Sequence, residues 1–476
     1  MAAGASSIKP RSVKDLSYSK RFERDFLSRS ALFVQKHANL SPIASRQLLR
    51  KSRIAVVAGA DALITGNGQH ALLAATNLVS RLFWNVELIL PSKSKRLVHS
   101  SLVSAVDIDG CLCELVGAIN PFSNLRTGRR LGSSAFDAAL VVGDSEVNLQ
   151  HTIRISSDGW IGYVSPDAVE PFSKANTNPI GALLAASLGA CEIFKLLAKP
   201  KENATSITFS AFDYRQDASG ANPELQKRLD LGILHLIGAG AIGSCLGYAL
   251  DPLVPQIRGI VKAIDAEHLD FSNLNRYMLA TYREADSRLR KVISVGKIAR
   301  GDLYVAEEPY RFQVFREKEP EDMETAVVGV DDIQTRWDVQ KTFPRLVLNG
   351  ASELDFVSVS RHPIDSIAEK ACLGCLNPRN GVLPPSKFLP TISFVPGFLG
   401  AILAGEIIKD VTPEFRGYSL AVELSASLGT FPNTLSLRAT EKSLKCGINC
   451  RDLFSVSIPS QIRQGRSMDH GKLHWR

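Results

Sequence analysis

Residues 232–276 read GILHLIGAGAIGSCLGYALDPLVPQIRGIVKAIDAEHLDFSNLNR, and their order decides the fold. Residues 233–237 are apolar apart from His235 and follow a glycine, as a buried parallel strand should. Gly238, Gly240 and Gly243 then fit G-x-G-x-x-G. In that pattern the first glycine permits a tight turn, the second lets backbone approach a phosphate, and the third lets the next helix pack on the strand. The helix start offers free N–H groups and the positive end of its dipole to an anion. A second apolar run, 259–264, ends in Asp265, 22 residues beyond Gly243. An acid that holds a ribose hydroxyl is expected ~20 residues on. A glycine turn alone also serves plain helix–strand packing. Two strands and an acid in register point instead to a βαβ unit with a nucleotide pocket.

The residues that follow separate ATP from a nicotinamide. Ser272-Asn-Leu-Asn-Arg276 resembles the S-N-L-x-R-Q signature of the ubiquitin-activating-type adenylating enzymes, the ThiF/MoeB family. The resemblance continues through Lys291, in Arg288-Leu-Arg-Lys291, and through Asp331, which ends the run AVVGVDD and precedes Arg336 by five residues. NGASELDFVSVS (349–360) resembles the family's next strand pair, and PTISFVPGFLGAILAGEIIK (390–409) its late small-residue helix. The match covers about residues 226–450. Two positions depart from the pattern. Tyr277 stands where the family has glutamine, and Lys291 lies slightly further from Arg276 than the family spacing, with Arg288, Arg290 and Lys297 as neighbours of the same charge.

The resemblance implies a chemistry that suits these residue types. A carboxylate attacks the α-phosphate of ATP, giving an acyl adenylate and pyrophosphate. Two anions must meet, so catalysis is largely positioning and charge neutralisation. Arg276 and Lys291 would neutralise phosphate oxygens. Asp331 would hold Mg²⁺, a hard cation that takes carboxylate and phosphate oxygens. Asn273 would orient phosphate or metal-bound water, and Asp265 would hold the ribose. Taken singly, Arg276 is equally a solvated surface arginine and Asp331 a helix N-cap. The family also implies a basic residue near the N-terminus that reaches the partner half's site. Arg21, in Tyr18-Ser-Lys-Arg21, is the nearest match, with Lys20 and Arg24 beside it. A solvated charged helix is the plain alternative for residues 10–30.

Eight cysteines form a second signal: Cys111, Cys113, Cys191, Cys245, Cys372, Cys375, Cys446 and Cys450. Residues 1–30 are charged and lack the apolar core of a signal peptide, which places the thiols in a reducing, cytoplasmic compartment, where paired cysteines more often bind metal than form disulfides. Cys372-Leu-Gly-Cys375 and Cys446-Gly-Ile-Asn-Cys450 supply four thiolates for a closed structural Zn²⁺ site. The loop 376–390, where some members of the resembled family carry a nucleophilic cysteine, has none. Cys191 and Cys245 read as core residues. Cys111 and Cys113 are expected on one face of a strand.

The N-terminal half carries a weak repeat of the same pattern. Ser52-Arg-Ile-Ala-Val-Val-Ala-Gly59 opens like Gly232-Ile-Leu-His-Leu-Ile-Gly238, and residues 178–197, NPIGALLAASLGACEIFKLL, resemble 390–409. The glycine turn is broken in this copy (GADALITGNG), and its second strand, VELILP, ends without an acid. The expected fold is α/β, with two Rossmann-like ThiF-type domains forming a pseudo-dimer in one chain. The N-terminal domain (1–200) would be degenerate, 201–228 a linker, 229–458 the active adenylation domain with its zinc site, and 459–476 a polar tail.

Composition supports this without deciding it. The chain has 476 residues, 45% hydrophobic, with a net charge of +8 and a mean hydropathy of +0.02. No 18-residue span is both apolar and uncharged, which argues against a membrane helix. The basic residues are scattered; the densest cluster, Lys93-Ser-Lys-Arg96, lacks aromatic interleaving, against nucleic acid. The reading is an E1-like adenylyltransferase. Its partner would be a ubiquitin-like or small carrier protein ending in glycine, with a conjugating enzyme and self-association as open options. Activation of a sulfur carrier for cofactor synthesis, a NAD-dependent dehydrogenase and a non-catalytic scaffold are the alternatives.

Overall fold

The computed structural model describes residues 16–131, 136–174, 176–199, 201–367, 369–378 and 390–450. The tail 459–476 and most of the loop 376–390 lie outside these residues.

Two mixed sheets carry the fold. The first contains β1 (Arg53–Ala58), β2 (Asn85–Ile89), β3 (Arg126–Gly128), β4 (Ala138–Val142), β5 (Thr152–Asp158), β6 (Ile161–Ser165) and β7 (Ile207–Ser210). Its order is β3-β2-β1-β4-β5-β6-β7. The second contains β8 (Leu229–Ile237), β9 (Ile257–Ile264), β10 (Leu303–Glu308), β11 (Thr325–Val328), β12 (Leu346–Glu353), β13 (Phe356–Pro363), β14 (Glu423–Ser427) and β15 (Ser436–Arg438). Its order is β10-β9-β8-β11-β12-β13-β14-β15. In both sheets the first five strands pair in parallel and the later ones antiparallel. Apart from β15 the two topologies are the same, so the sequence repeat is a repeat of fold. The central strands β4 and β11 are buried along their whole length, as parallel strands covered on both faces require.

The two halves share a core. One continuous apolar cluster runs from Phe22 to Phe431 and draws on both sheets. At its centre the helices Ile180–Ala198 and Phe394–Val411 pack on each other. Each carries a buried Glu-x-x-Lys pair at the equivalent place, Glu192–Lys195 at 2.8 Å and Glu406–Lys409 at 2.6 Å. Buried ions of this kind persist when paired and fully hydrogen-bonded. Lys409 also donates to the carbonyls of Ala211, Phe212 and Tyr418 and to the Tyr214 hydroxyl. Ile180–Ala198 is the one helix among the described residues long and apolar enough to cross a membrane, and 94% of that span is buried inside the fold.

Several segments differ from the sequence expectation. Residues 201–228, read as a linker, supply strand β7 to the first sheet, and Trp160 Nε1 donates to the Pro223 carbonyl at 2.9 Å. Cys111 and Cys113 sit on a helix, Ile108–Ile119, rather than a strand. Asp107 caps that helix through the Gly110 N–H (2.8 Å), and its buried residues follow a helical period: Ile108, Cys111, Leu112, Leu115, Val116 and Ile119. The charged N-terminal segment is a helix, Leu16–Ala38, but not a solvated one. Phe22, Phe26 and Phe33 on one face are buried, and Phe22 meets Phe271 and Tyr282 of the second half with ring centroids 5.1 and 5.2 Å apart.

The helix Phe394–Val411 meets backbone of the second half closely at Gly400. A Cβ there would stand 2.6 Å from the backbone carbonyl of Cys245 on the helix Ala241–Leu250. Gly400→Val is therefore expected to destabilise the chain by about 1–3 kcal/mol, read as a lower denaturant midpoint. An unchanged midpoint would contradict this account of the helix contact.

Candidate nucleotide site

The glycine turn lies where the order of the second sheet reverses, between β8 and β11, at the C-terminal ends of the strands. Ligands bind at such a switch point in open α/β sheets. The turn is fixed from both sides: Gly238 N–H donates to the Ile264 carbonyl and Gly329 N–H to the Ile237 carbonyl, each at 2.9 Å. Gly238 has φ +97°, a conformation that favours glycine. A Cβ on Gly243 would lie 2.2 Å from the Gly238 oxygen, so helix and strand meet only through glycine. Gly240 is different. A Cβ there would meet only the Tyr277 hydroxyl, at an ordinary 3.5 Å. The protein's own packing leaves that position open, which suits approach by something outside the chain.

Two cations, Arg276 and Lys291, flank the Tyr277 ring beside this opening. Arg276 is buried and has no carboxylate in an ion pair or hydrogen bond among the described residues. Its guanidinium donates to the Ser272 carbonyl (2.6 Å) and Asn275 Oδ1 (2.7 Å). Burial, with a smaller contribution from the charge of Arg29, lowers its pKa to about 10 against the opposing pull of Tyr277 and Asp270. Lys291 pairs with the outward-facing Glu267. Burial opposes the Lys291 charge, but Tyr277, Asp265 and Glu267 together raise its pKa above the usual lysine value. The Tyr277 ring lies between the two, 5.1 Å from Arg276 and 5.4 Å from Lys291. The charge of Arg29, on the N-terminal helix, lowers the pKa of both Arg276 and Glu267.

Asp265 follows β9 beside the turn and accepts the Glu267 N–H at 2.8 Å. Burial raises its pKa, and Lys291 pulls it back. Asn273 is buried, with its Oδ1 accepting the Asp270 N–H at 2.9 Å in a capping box. Its amide oxygen is thus committed to the turn that carries Arg276. Asp331 is exposed on the loop after β11. The N-cap of the next helix, Ile333–Lys341, is its neighbour Asp332, which takes the N–H groups of Gln334 and Thr335. Capping therefore leaves the Asp331 carboxylate uncommitted. Arg336 holds the loop, donating Nε and Nη2 to the Val330 carbonyl at 3.0 and 2.7 Å.

The other basic residues near these positions have different surroundings. Arg288 is exposed, Arg290 donates to the Ala266 carbonyl, and Lys297 pairs with Glu284. Lys291 alone of this group faces Tyr277 and Asp265. Arg21 is 64% exposed beside Asp25, and Arg24 pairs with the same Asp25. Arg29, two helical turns beyond Arg21, is the N-terminal arginine whose charge acts on Arg276. Sequence inspection missed it because a short motif match pointed upstream. The helical period of Phe22, Phe26 and Phe33 sets the buried face that brings position 29 to the second half.

The equivalent turn of the first half is filled by its own side chain. Gly59-Ala60-Asp61 stands where the second half has Gly238-Ala239-Gly240. Asp61 Oδ1 accepts the Asp144 N–H and Oδ2 the Phe172 N–H, each at 2.9 Å. A carboxylate thus takes the N–H groups at the place where the second half is open.

The four cysteines of the two pairs come together behind the helix Ile333–Lys341, all sulfurs within 4.8 Å of one another. Separations of 3.7 Å (Cys372–Cys375), 3.6 Å (Cys372–Cys446) and 3.5 Å (Cys375–Cys450) match the ~3.8 Å edge of a tetrahedron with Zn–S bonds of about 2.3 Å. All eight cysteines are free.

Residues 53–211 match the model of the BilD N-terminal domain. A Sinorhizobium fredii protein, y4jF, described as uncharacterized, is 28% identical over 335 residues, 69% of this chain. The match spans 61% of that relative's length. Among solved structures, Escherichia coli MccB is 15% identical, with 68% of this chain and 98% of MccB covered and a TM-score of 0.37. MccB crystallised with ATP is 15% identical, with 62% and 97% covered and a TM-score of 0.36. PaaA is 16% identical, with 44% and 65% covered and a TM-score of 0.34.

If the sulfur tetrahedron is a structural metal centre, the purified chain carries about one zinc. Chelation then lowers its melting temperature, and Cys372→Ser abolishes metal retention. Metal-free protein with an unchanged melting temperature would refute the assignment.

Proposed function

We propose that this chain adenylates the C-terminal carboxylate of a ubiquitin-like or small carrier protein with ATP, releasing pyrophosphate. One observation carries the reading: Arg276, buried with no bonded carboxylate among the described residues, lies with Lys291 against the ring of Tyr277, whose hydroxyl borders the open Gly240 turn. A buried cation in this state is costly unless an anion completes it. A nucleotide's phosphates on the turn would be that anion. Asp265 would take the ribose hydroxyls, and Asp331, which caps no helix, would be a carboxylate ligand for Mg²⁺, which when bound would offset phosphate charge.

The reaction proceeds by attack of a carrier carboxylate oxygen on the α-phosphorus as the bond to pyrophosphate breaks. Arg276 and Lys291 would offset the charge that accumulates on phosphate oxygens, with Arg29 adding to the field from the first half. Their burial strengthens this, because charges act at longer range where water is excluded. A nicotinamide dehydrogenase would need the glycines and Asp265 but would leave this cationic arrangement unexplained.

The layout supports one working half per chain. Asp61 holds the first turn closed, so the first half would act as a scaffold for the second. No thiol is poised to take the acyl group. Burial raises the pKa of Cys245 to about 12 and lifts those of Cys111, Cys113 and Cys191 as well, while the other four cluster together. A thiol must ionise to attack. The adenylate would therefore pass to an acceptor on another protein, in the cytoplasm. Conjugation is the favoured fate and sulfur-carrier activation the alternative.

With the cognate carrier present, the chain is expected to catalyse carrier-dependent ATP–pyrophosphate exchange. Arg276→Ala and Asp331→Ala should each lower the rate by on the order of 10²–10³-fold. Wild-type exchange in both variants would show that the site lies elsewhere.

A further inference from the structure

We propose that Arg81, a residue of the first half, is a positioning residue for the nucleotide site of the second half, fixing the backbone of residues 274–280 from which Arg276 and Tyr277 reach it. The inference rests on the nucleotide reading above and adds to it a device that couples the halves.

Arg81 lies in the last turn of the helix Gly66–Leu82 and is fully buried. Among the described residues no carboxylate pairs with it. Its donors go instead to backbone of the other half. Nη1 donates to the Leu274 carbonyl at 2.6 Å, and Nη2 to the Met278 and Ala280 carbonyls at 2.9 Å each. Nε donates to Asn77 Oδ1 at 2.6 Å, one helical turn back, and Asn77 Nδ2 donates in its turn to Met278 O at 3.1 Å. These three carbonyls bracket Arg276 and Tyr277.

The segment they belong to is irregular after its opening 3₁₀ turn, Phe271–Asn273, so its carbonyls have no regular ladder to join. Left unpaired in the interior, each would cost about 1–3 kcal/mol. A guanidinium can satisfy several at once because its donors form a fixed planar fork. An apolar side chain would fill the same space without bonding any of them. The opposite side of the segment is tied to the phosphate-turn helix: Leu279 N–H donates to Ser244 Oγ at 3.0 Å. Residues 274–280 are thus clamped between Arg81 of one half and Ser244 of the other. Burial lowers the Arg81 pKa to about 9, a cost consistent with a position selected for its donors.

The test uses the full chain as wild type, Arg81→Lys and Arg81→Met, with MgATP as the probe. MgATP affinity is measured by calorimetry, and backbone order by amide hydrogen exchange. Arg81→Met is expected to weaken MgATP by on the order of 10- to 100-fold, with faster exchange confined to residues 274–280 and their immediate contacts. Arg81→Lys should recover part of both. If Arg81→Met does not fold, Asn77→Ala should show the same local pattern at smaller amplitude. Wild-type affinity and wild-type exchange in a folded Arg81→Met, or in Asn77→Ala where that is the variant available, would overturn the proposal. So would faster exchange spread evenly over both sheets, which marks a general packing role. If the wild-type chain itself binds no MgATP, the nucleotide reading fails, and the exchange pattern at 274–280 decides the role of Arg81 on its own.

Discussion

A guanidinium held out of water with no bonded carboxylate among the described residues is the feature on which the rest of this structure depends. Arg276 is buried beside Tyr277, and burial outweighs the relief that Tyr277 and Asp270 give its charge. Folding alone gives no reason for such a group, since an apolar residue of similar size would pack at less expense. The surrounding elements make sense as the means of keeping it there. Asn273 and Asp270 shape its turn, and Asn275 accepts one of its N–H groups. Asn275 is itself anchored to Ser30 and to the Thr391 carbonyl at 3.1 and 3.3 Å. The N-terminal helix and the late helix therefore both bear on the position of one side chain.

Duplication explains how the fold carries that cost. The two halves have matching strand orders and equivalent buried Glu-x-x-Lys pairs, yet they have diverged at the turn. In the first half the anion is built in, as Asp61. In the second half Gly240 stands at that position, with Arg276 and Lys291 against the neighbouring Tyr277 ring. The shared apolar core makes the halves one folded body rather than two beads on a string. Contacts across it run from the first half to the loops of the second half's site.

The fold class was legible in the sequence because parallel strands, glycine turns and small-residue helices leave strong local patterns, and because the pattern occurs twice. Gly238, Asp265 and Asp331 could be placed on the sheet for the same reason, since each ends an apolar run, whereas Arg276 follows the polar stretch Ser272-Asn-Leu-Asn and has no such marker. What escaped notice depended on three-dimensional facing. Arg29 and Arg81 look like ordinary helical arginines until the partner surface is known. Asp331 and Asp332 compete for one cap, and only the helix start decides between them. Cys111 and Cys113 suggested a strand by their spacing, but the Asp107 cap and the period of Ile108, Leu112 and Leu115 favour a helix. Residues 201–228 have a loop-like composition, and four of them are a strand because an antiparallel partner, β6, is available.

The central claim is one nucleotide per chain, seated on the second glycine turn. It is tested most directly by the stoichiometry of MgATP binding in the wild-type chain, in Gly240→Val and in Asp61→Gly. A side chain at Gly240 meets only ordinary contact from the protein itself, so Gly240→Val should fold and yet bar a phosphate. The account predicts one site in the wild type, none in Gly240→Val, and one still sensitive to the Gly240→Val change in Asp61→Gly. Two sites per chain, or binding that survives Gly240→Val, would contradict it.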